Sequence, residues 1–267
     1  MPRWQTADWP LWIAHRGAGQ MAPENTLAAF RLGAAFGYRA FECDVKLSRD
    51  GVPMLLHDAT LDRTTPEHGA AANRDWAELS RLDAGGWHSR AYAGEPIPSL
   101  EAIACYVQRN GFALNVEIQP TPGQERETGL AVGASCARLW AGLSAGLSSG
   151  LSAGLSADRA SPLLFSSFRP DALQGARESA PTIPRALLVD SLWPGWFEMA
   201  QALECVAVVS HQELMSASLV AQLHAAGLRA WCYTVNEVAS AQRLLRLGVD
   251  GLITDAVDKF SPASTLS

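Results

Sequence analysis

Two histidines, three carboxylates and one arginine stand out because each ends or directly follows a short apolar run. His15 and Arg16 follow Leu11-Trp12-Ile13-Ala14, Glu42 and Asp44 close Arg39-Ala40-Phe41-Glu42-Cys43-Asp44, Glu117 closes Phe112-Ala113-Leu114-Asn115-Val116-Glu117, and His57 follows Pro53-Met54-Leu55-Leu56. Residues two apart on a strand share a face, so Glu42 and Asp44 point together and Cys43 points away. Three carboxylates gathered in one place repel one another, and at neutral pH such a cluster needs a cation. All-oxygen ligands select a hard divalent ion, Mg²⁺ or Ca²⁺ with Mn²⁺ also admissible, rather than zinc. A metal beside an arginine is a natural seat for a phosphate diester. Two imidazoles then suit general acid–base work near neutral pH, one deprotonating a nucleophile and the other protonating a leaving alkoxide.

Such a gathering requires strands whose ends meet. Apolar runs at 11–14, 39–44, 112–117, 162–166, 184–189, 205–209, 229–234 and 250–253 alternate with helical patterns at 25–36, 98–109, 125–141, 170–178, 194–202, 216–226 and 236–246. Eight strands alternating with helices in a chain of 267 residues predict a single-domain α/β protein spanning 1–267, a closed TIM (β/α)8 barrel, with its site at the carboxyl ends of the strands. One segment, 46–97, breaks the alternation and reads as a hairpin followed by a small inserted subdomain after the second strand, placed over the barrel mouth. Asp50-Gly51 between apolar runs predicts a two-residue turn. That turn pairs Arg49 with Val52 and, carried back, sets His57 opposite Asp44. A second interruption, 142–157, repeats Gly-Leu-Ser-Ala with small variation and is expected as a frayed helical extension or a loop without chemistry.

Composition narrows the partners. A net charge of −6 without a basic run argues against nucleic acid as a partner. It leaves room for a small phosphate ligand, since a bound cation supplies local positive charge. No stretch approaches the ~18 uncharged apolar residues of a membrane span, and the first residues lack the apolar core of a secretory signal. The five cysteines are odd in number, widely spaced and free of any C-x-x-C pair, which reads as reduced thiols in a cytoplasmic protein. The oligomeric state stays open.

Taken in order, His15-Arg16-Gly17, Pro23-Glu24-Asn25-Thr26, Glu42-Cys43-Asp44, Asp50-Gly51, His57-Asp58 and Glu117-Ile118 form a recognisable set. With Trp231, Thr234-Val235-Asn236 and Gly248-Val249-Asp250-Gly251-Leu252-Ile253-Thr254-Asp255, the chain from about 11 to 258 resembles the glycerophosphodiester phosphodiesterase family, nearest to its short cytoplasmic bacterial type. Leu82-Asp83-Ala84-Gly85, Trp87 and Gly94-Glu95-Pro96-Ile97-Pro98-Ser99-Leu100 extend the likeness through the insertion. The resemblance implies divalent-metal-dependent hydrolysis of glycerophosphodiesters, such as glycerophosphocholine and glycerophosphoethanolamine, to glycerol 3-phosphate and an alcohol. It makes His15 and His57 the acid–base pair, Glu42, Asp44 and Glu117 the metal ligands, Arg16 the phosphate holder and Trp231 a wall on the glycerol side. The family usually carries lysine two residues after the third carboxylate. This chain has Gln119 there, so Lys46 or the metal is expected to supply the missing charge. Two rival readings are a diesterase for a bulkier substrate, such as a lysophospholipid or glycerophosphoinositol, and a weakly catalytic barrel that binds a diester as a sensor.

Several residues also admit plain structural readings. Asn25 before Leu27-Ala28-Ala29-Phe30 looks like a helix cap. Arg16 has Glu24 as a salt-bridge companion, Trp231 could simply pack the barrel, and His68, His88, His211 and His224 fit no motif.

Overall fold

The computed structural model describes residues 9–147, 163–260 and 262. Among them the strands are β1 Trp12–Ala14, β2 Ala40–Leu47, β3 Pro53–Leu55, β4 Ala113–Ile118, β5 Leu163–Ser167, β6 Arg185–Val189, β7 Ala207–His211, β8 Arg229–Tyr233 and β9 Gly251–Thr254. The helices are α1 Leu27–Ala35, α2 Trp76–Leu79, α3 Leu100–Asn110, α4 Glu125–Leu147, α5 Pro170–Ser179, α6 Trp196–Ala202, α7 Ala217–Ala225 and α8 Val238–Leu247. The sheet runs β1-β9-β8-β7-β6-β5-β4-β2 and closes through a β1–β2 pairing. Eight parallel strands therefore form a TIM barrel, and β3 lies antiparallel on the outer end of β2.

Period-two alternation divides each strand between two environments. Ile13, Ala40, Ala113, Leu164, Ala186, Leu188, Ala207, Val209, Trp231 and Ile253 fill the inside of the barrel as one apolar cluster. Their outward neighbours, Phe41, Cys43, Val45, Leu114, Val116, Phe165 and Leu187 among them, join the larger core beneath the helices. Cys43 thus points away from the site, as strand alternation requires. Moving two residues from the inner cluster toward the carboxyl ends exchanges apolar for polar side chains: His15 after Ile13, Glu42 after Ala40, Asn115 after Ala113, Ser166 after Leu164 and Asp255 after Ile253.

The hairpin register differs from the expected one. Val45 pairs with Leu55, Lys46 with Met54 and Leu47 with Pro53. The loop is therefore three residues long, Arg49-Asp50-Gly51, with Ser48 N donating to Val52 O at 3.1 Å. Gly51, at φ 80°, takes the left-handed position that closes a three-residue hairpin loop. The shift of one residue sets Leu56, not His57, against Asp44, and Leu56 N donates to Asp44 O at 3.1 Å. β3 ends at Leu55 and its last ladder bond is that of Leu56, so His57 lies just beyond the ladder rather than opposite Asp44.

The insertion has its own small core of Met54, Leu56, Leu61, Ala71, Leu79, Ala84 and Ile97. It is fastened beside the mouth, to the loop after β1 and the start of α1. His88 Nε2 lies 3.0 Å from Gln20 O, Glu95 Oε1 accepts from Ala28 N at 3.0 Å, and Arg63 pairs with Glu24 at 2.7 Å. The Gly-Leu-Ser-Ala segment begins as a continuation of α4 to Leu147, and its remainder, 148–157, lies outside the described residues.

Trp231 occupies the barrel floor. It is 2% exposed, pairs in the ladder with Gly251 at the start of β9, and its ring centroid is 5.2 Å from that of Trp9, which precedes β1. A Cβ on Gly251 would come within 2.8 Å of the Trp231 indole. Gly251→Ala is therefore expected to destabilise the chain by about 1–3 kcal/mol through overpacking. Adding Trp231→Phe should recover part of that loss in urea denaturation, and an unaltered midpoint for the single variant would refute this packing.

Candidate active site

Glu42 and Asp44 on β2 and Glu117 on β4 come together because the two strands pair in register, Glu42 with Asn115 and Asp44 with Glu117. Each offers one carboxylate oxygen, and the three atoms lie within 4.8 Å of one another. All three residues are buried, at 1%, 1% and 8% exposure. Burial, and then the charge of Asp44, pushes the Glu42 and Glu117 carboxyls well above the usual carboxylate range. Asp44 goes the other way. Burial raises it, but Arg16, His57 and Asn25 together outweigh burial and hold it below its ordinary value.

Asp44 is held by a residue that looked like a helix cap. Thr26 caps α1, accepting from Ala29 N at 3.2 Å. Asn25 instead stands in left-handed backbone at φ 58° and turns its amide to Asp44. Its Nδ2 donates to Asp44 Oδ2 at 2.8 Å, and its Oδ1 accepts from Asp44 N at 3.1 Å. The physical reason is the conformation: the left-handed Asn25 turns back toward the barrel, whereas Thr26 has the extended backbone typical of a side-chain cap.

Arg16 is also left-handed, at φ 50°. Its backbone N donates to Glu42 Oε2 at 3.0 Å, Nη1 lies 2.9 Å from Glu24 Oε1, and Nε lies 3.2 Å from Asp44 Oδ2. Arg63 from the insertion meets the same Glu24 and also Asp58, with Nε donating to Asp58 Oδ2 at 2.7 Å. Arg16 and Arg63 are thus already tied into the acidic surroundings of the trio.

Both histidines present the same pattern. His15 Nδ1 lies 2.6 Å from Asp255 Oδ1, while its Nε2 faces Glu42 Oε2 at 3.7 Å. Asp255 follows β9 as His15 follows β1, and those strands pair Ala14 with Thr254. Asn236 locks Asp255 from behind, accepting from its backbone N at 2.9 Å and donating to Oδ2 at 3.1 Å. Gly19 lets the loop after β1 lie against Asp255, since a Cβ there would collide with the Asp255 backbone. His57 Nδ1 lies 2.7 Å from Asp58 Oδ1. A hydrogen bond from Arg63 leads the interactions that hold the Asp58 carboxyl far below the carboxylate range. Each imidazole therefore has Nδ1 engaged by an aspartate, which fixes the ring. Asp58, Asp255, Asn236 and Arg63 were not singled out in the sequence. The first three lie inside the quoted motifs, and Arg63 carries no local signal.

Lys46 and Gln119 are ladder neighbours. Val45 pairs with Ile118, and Gln119 N donates to Val45 O at 2.9 Å. Gln119 Nε2 donates to Glu117 Oε1 at 2.6 Å, whereas Lys46, only 5% exposed, donates from Nζ to His57 O at 2.8 Å. Trp231 does not reach this rim. The inner-face residue that does is Tyr233, two positions on, T-shaped against Phe168 at 5.6 Å and His211 at 5.8 Å. His211 thus stands at the mouth, whereas His224 bonds Asp250 at 2.8 Å and His68 meets Asp62 at 3.1 Å.

Comparison with known proteins settles the family. The model of the glycerophosphoryl diester phosphodiesterase family matches residues 15–259, which takes in both histidines and all three carboxylates. The chain belongs to that family. The Bacillus subtilis (strain 168) protein YhdW is 31% identical over 252 residues, covering 92% of this chain and 94% of YhdW. The glycerophosphodiester phosphodiesterase of Caldanaerobacter subterraneus subsp. tengcongensis is 29% identical over 245 residues, covering 92% and 93%. Among solved structures, an Oleispira antarctica phosphodiesterase in complex with its product sn-glycerol-3-phosphate superposes with a TM-score of 0.81 at 34% identity, covering 94% of each chain. The protein is an enzyme, a glycerophosphodiester phosphodiesterase. No helix among the described residues is long and apolar enough to cross a membrane.

The acidic trio has a thermodynamic signature. Glu42 and Glu117 bind protons more tightly folded than unfolded, so their contribution to stability is complete at low pH and is lost as pH rises through their elevated values. In chelator, the melting temperature should fall as pH rises above the ordinary glutamate range. Excess divalent ion should flatten that fall, because ligation replaces the protons. A melting temperature independent of both pH and ion across that window would contradict the clustering.

Proposed function

We propose that this enzyme hydrolyses glycerophosphodiesters of small alcohols, such as glycerophosphocholine and glycerophosphoethanolamine, to glycerol 3-phosphate and the free alcohol, with a divalent cation and two histidines. The observation that carries the reading is the pair of aspartate-anchored imidazoles beside three buried carboxylate oxygens within 4.8 Å of one another: His15 Nε2 lies 3.7 Å from Glu42 Oε2, and the charge of His57 acts on Asp44. The donor set fits a hard ion: it is all oxygen and it is buried. Glu42, Asp44 and Glu117 would hold Mg²⁺, Ca²⁺ or Mn²⁺, and that ion would supply electrostatic stabilisation to the phosphate oxygens.

The chain's own groups then do the proton work. One imidazole takes the proton of the glycerol 2-hydroxyl as that oxygen bonds to phosphorus. The other gives a proton to the alkoxide that leaves as the phosphorus–alcohol bond breaks. Water opens the resulting cyclic phosphate with the roles reversed, yielding glycerol 3-phosphate. Asp255 and Asp58 keep each ring oriented through its Nδ1. Arg16, beside Asp44, holds the phosphate. Lys46 lies next to Gln119 across the ladder and brings the positive charge that Gln119 lacks, while the Gln119 amide steadies Glu117. The five free cysteines support a reducing, cytoplasmic setting.

His15→Ala and His57→Ala should each lower turnover of glycerophosphocholine by about 10²–10⁴-fold with unchanged melting temperature. Wild-type enzyme should stop in chelator and recover with Mg²⁺, Mn²⁺ or Ca²⁺. Release of glycerol 3-phosphate at near-normal rate by either variant would refute the acid–base pair. Faster cleavage of glycerophosphoinositol or a lysophospholipid would reassign the leaving group.

A further inference from the structure

The barrel interior contains polar side chains that the catalytic arrangement does not use. Asn115 stands opposite Glu42 in the β2–β4 ladder, and Ser166 on β5 stands opposite Glu117. Asn115 and Ser166 are 0% exposed and Glu42 is 1% exposed. Neither polar atom of the Asn115 amide, nor Ser166 Oγ, nor Glu42 Oε1 has a hydrogen-bond partner among the described residues. The next inward-facing residues toward the floor, Ala40, Ala113 and Leu164, are all apolar. Asn115 and Ser166 therefore form a polar layer above a dry floor, in ladder register with Glu42 and Glu117 of the acidic trio.

Burying an amide without partners costs about 1–3 kcal/mol, more than an apolar residue of that size would. Packing alone does not account for Asn115 or Ser166, since alanine and leucine serve one layer below. Their chemistry does: an amide and a hydroxyl on neighbouring strands, with the unpartnered carboxylate oxygen opposite, supply the two to four polar contacts that hold an ordered water. We infer that Asn115 and Ser166 are positioning residues of the cation site. Through a shared water they fix the unpartnered oxygen Oε1 of Glu42, so that this carboxylate is set for the ion before the ion arrives. The layer acts on the ligand and not on the substrate. The inference rests on the cation reading given above and not on the identity of the diester.

Asn115→Leu, which keeps the volume and removes the polar atoms, separates a positioning role from a structural one. Titrate Mn²⁺ into the purified chain by calorimetry, and melt the same protein in chelator. Ion affinity should fall about 10–100-fold, the usual effect of losing a group that orients a metal ligand. The chelator melting temperature should stay level or rise, because an unpartnered amide has gone. Ser166→Ala should show a smaller loss of affinity in the same direction, and it carries the test if Asn115→Leu does not fold. Ion affinity within twofold of wild type in the folded variants overturns the inference. So does a drop in chelator stability with unchanged affinity, which is the mark of plain packing. A wild-type chain that binds Mn²⁺ but cleaves no glycerophosphodiester would remove the proposed reaction and leave this inference standing. A wild-type chain that binds no ion overturns both.

Discussion

Mutual repulsion among three buried carboxylates is the constraint around which this enzyme is organised. Glu42, Asp44 and Glu117 sit within the barrel mouth at 8% exposure or less, with one oxygen of each inside a 4.8 Å cluster. Charges buried at such spacing are unfavourable unless protons, opposite charges or a cation compensate them. The protein provides part of that compensation. Arg16 and Asn25 hold Asp44 ionised, while burial and Asp44 together leave Glu42 and Glu117 favouring their protons. The two glutamates thus favour their protons where no further positive charge compensates them.

The surrounding structure can be understood as support for that balance. Two left-handed, non-glycine residues, Arg16 and Asn25, stand in the loop between β1 and α1. Backbone of this kind carries a cost of its own and persists where its surroundings hold it in place. Here the loop is held from three sides: by the capping of α1 at Thr26, by the approach of Gly19 to Asp255, and by the Glu24–Arg63 pairing with the insertion. A continuous polar chain runs from His57 through Asp58, Arg63 and Glu24 to Arg16 and so to Asp44. The insertion is therefore coupled to the acidic trio through charge as well as through packing, and its fastening beside the mouth positions His57.

Much of this is legible in the sequence. The apolar runs place all eight barrel strands, because inner and outer faces follow from period-two alternation, and the same alternation puts Glu42 and Asp44 together and Cys43 apart. What escaped depends on backbone geometry that pattern does not encode. Asp50-Gly51 suits both a two-residue and a three-residue loop, and only the observed pairing of Val45 with Leu55 separates them. Asn25 precedes a helix as caps do, but its left-handed backbone passes the cap to Thr26 and turns the amide to Asp44. Trp231 lies in the right strand but at the wrong depth. Its ladder partner Gly251 begins β9, which puts the indole on the floor, and Tyr233 takes the place at the rim. Arg63 joins the site only because the insertion folds back on Glu24, a contact without local signal.

The most direct measurement is the anomalous difference density of a crystal soaked in Mn²⁺. The expected result is one strong peak bounded by Glu42, Asp44 and Glu117, with oxygens of all three at about 2.0–2.6 Å as hard divalent ions require. Absence of a peak between these side chains, or a peak elsewhere with the three carboxylates unengaged, would contradict the account.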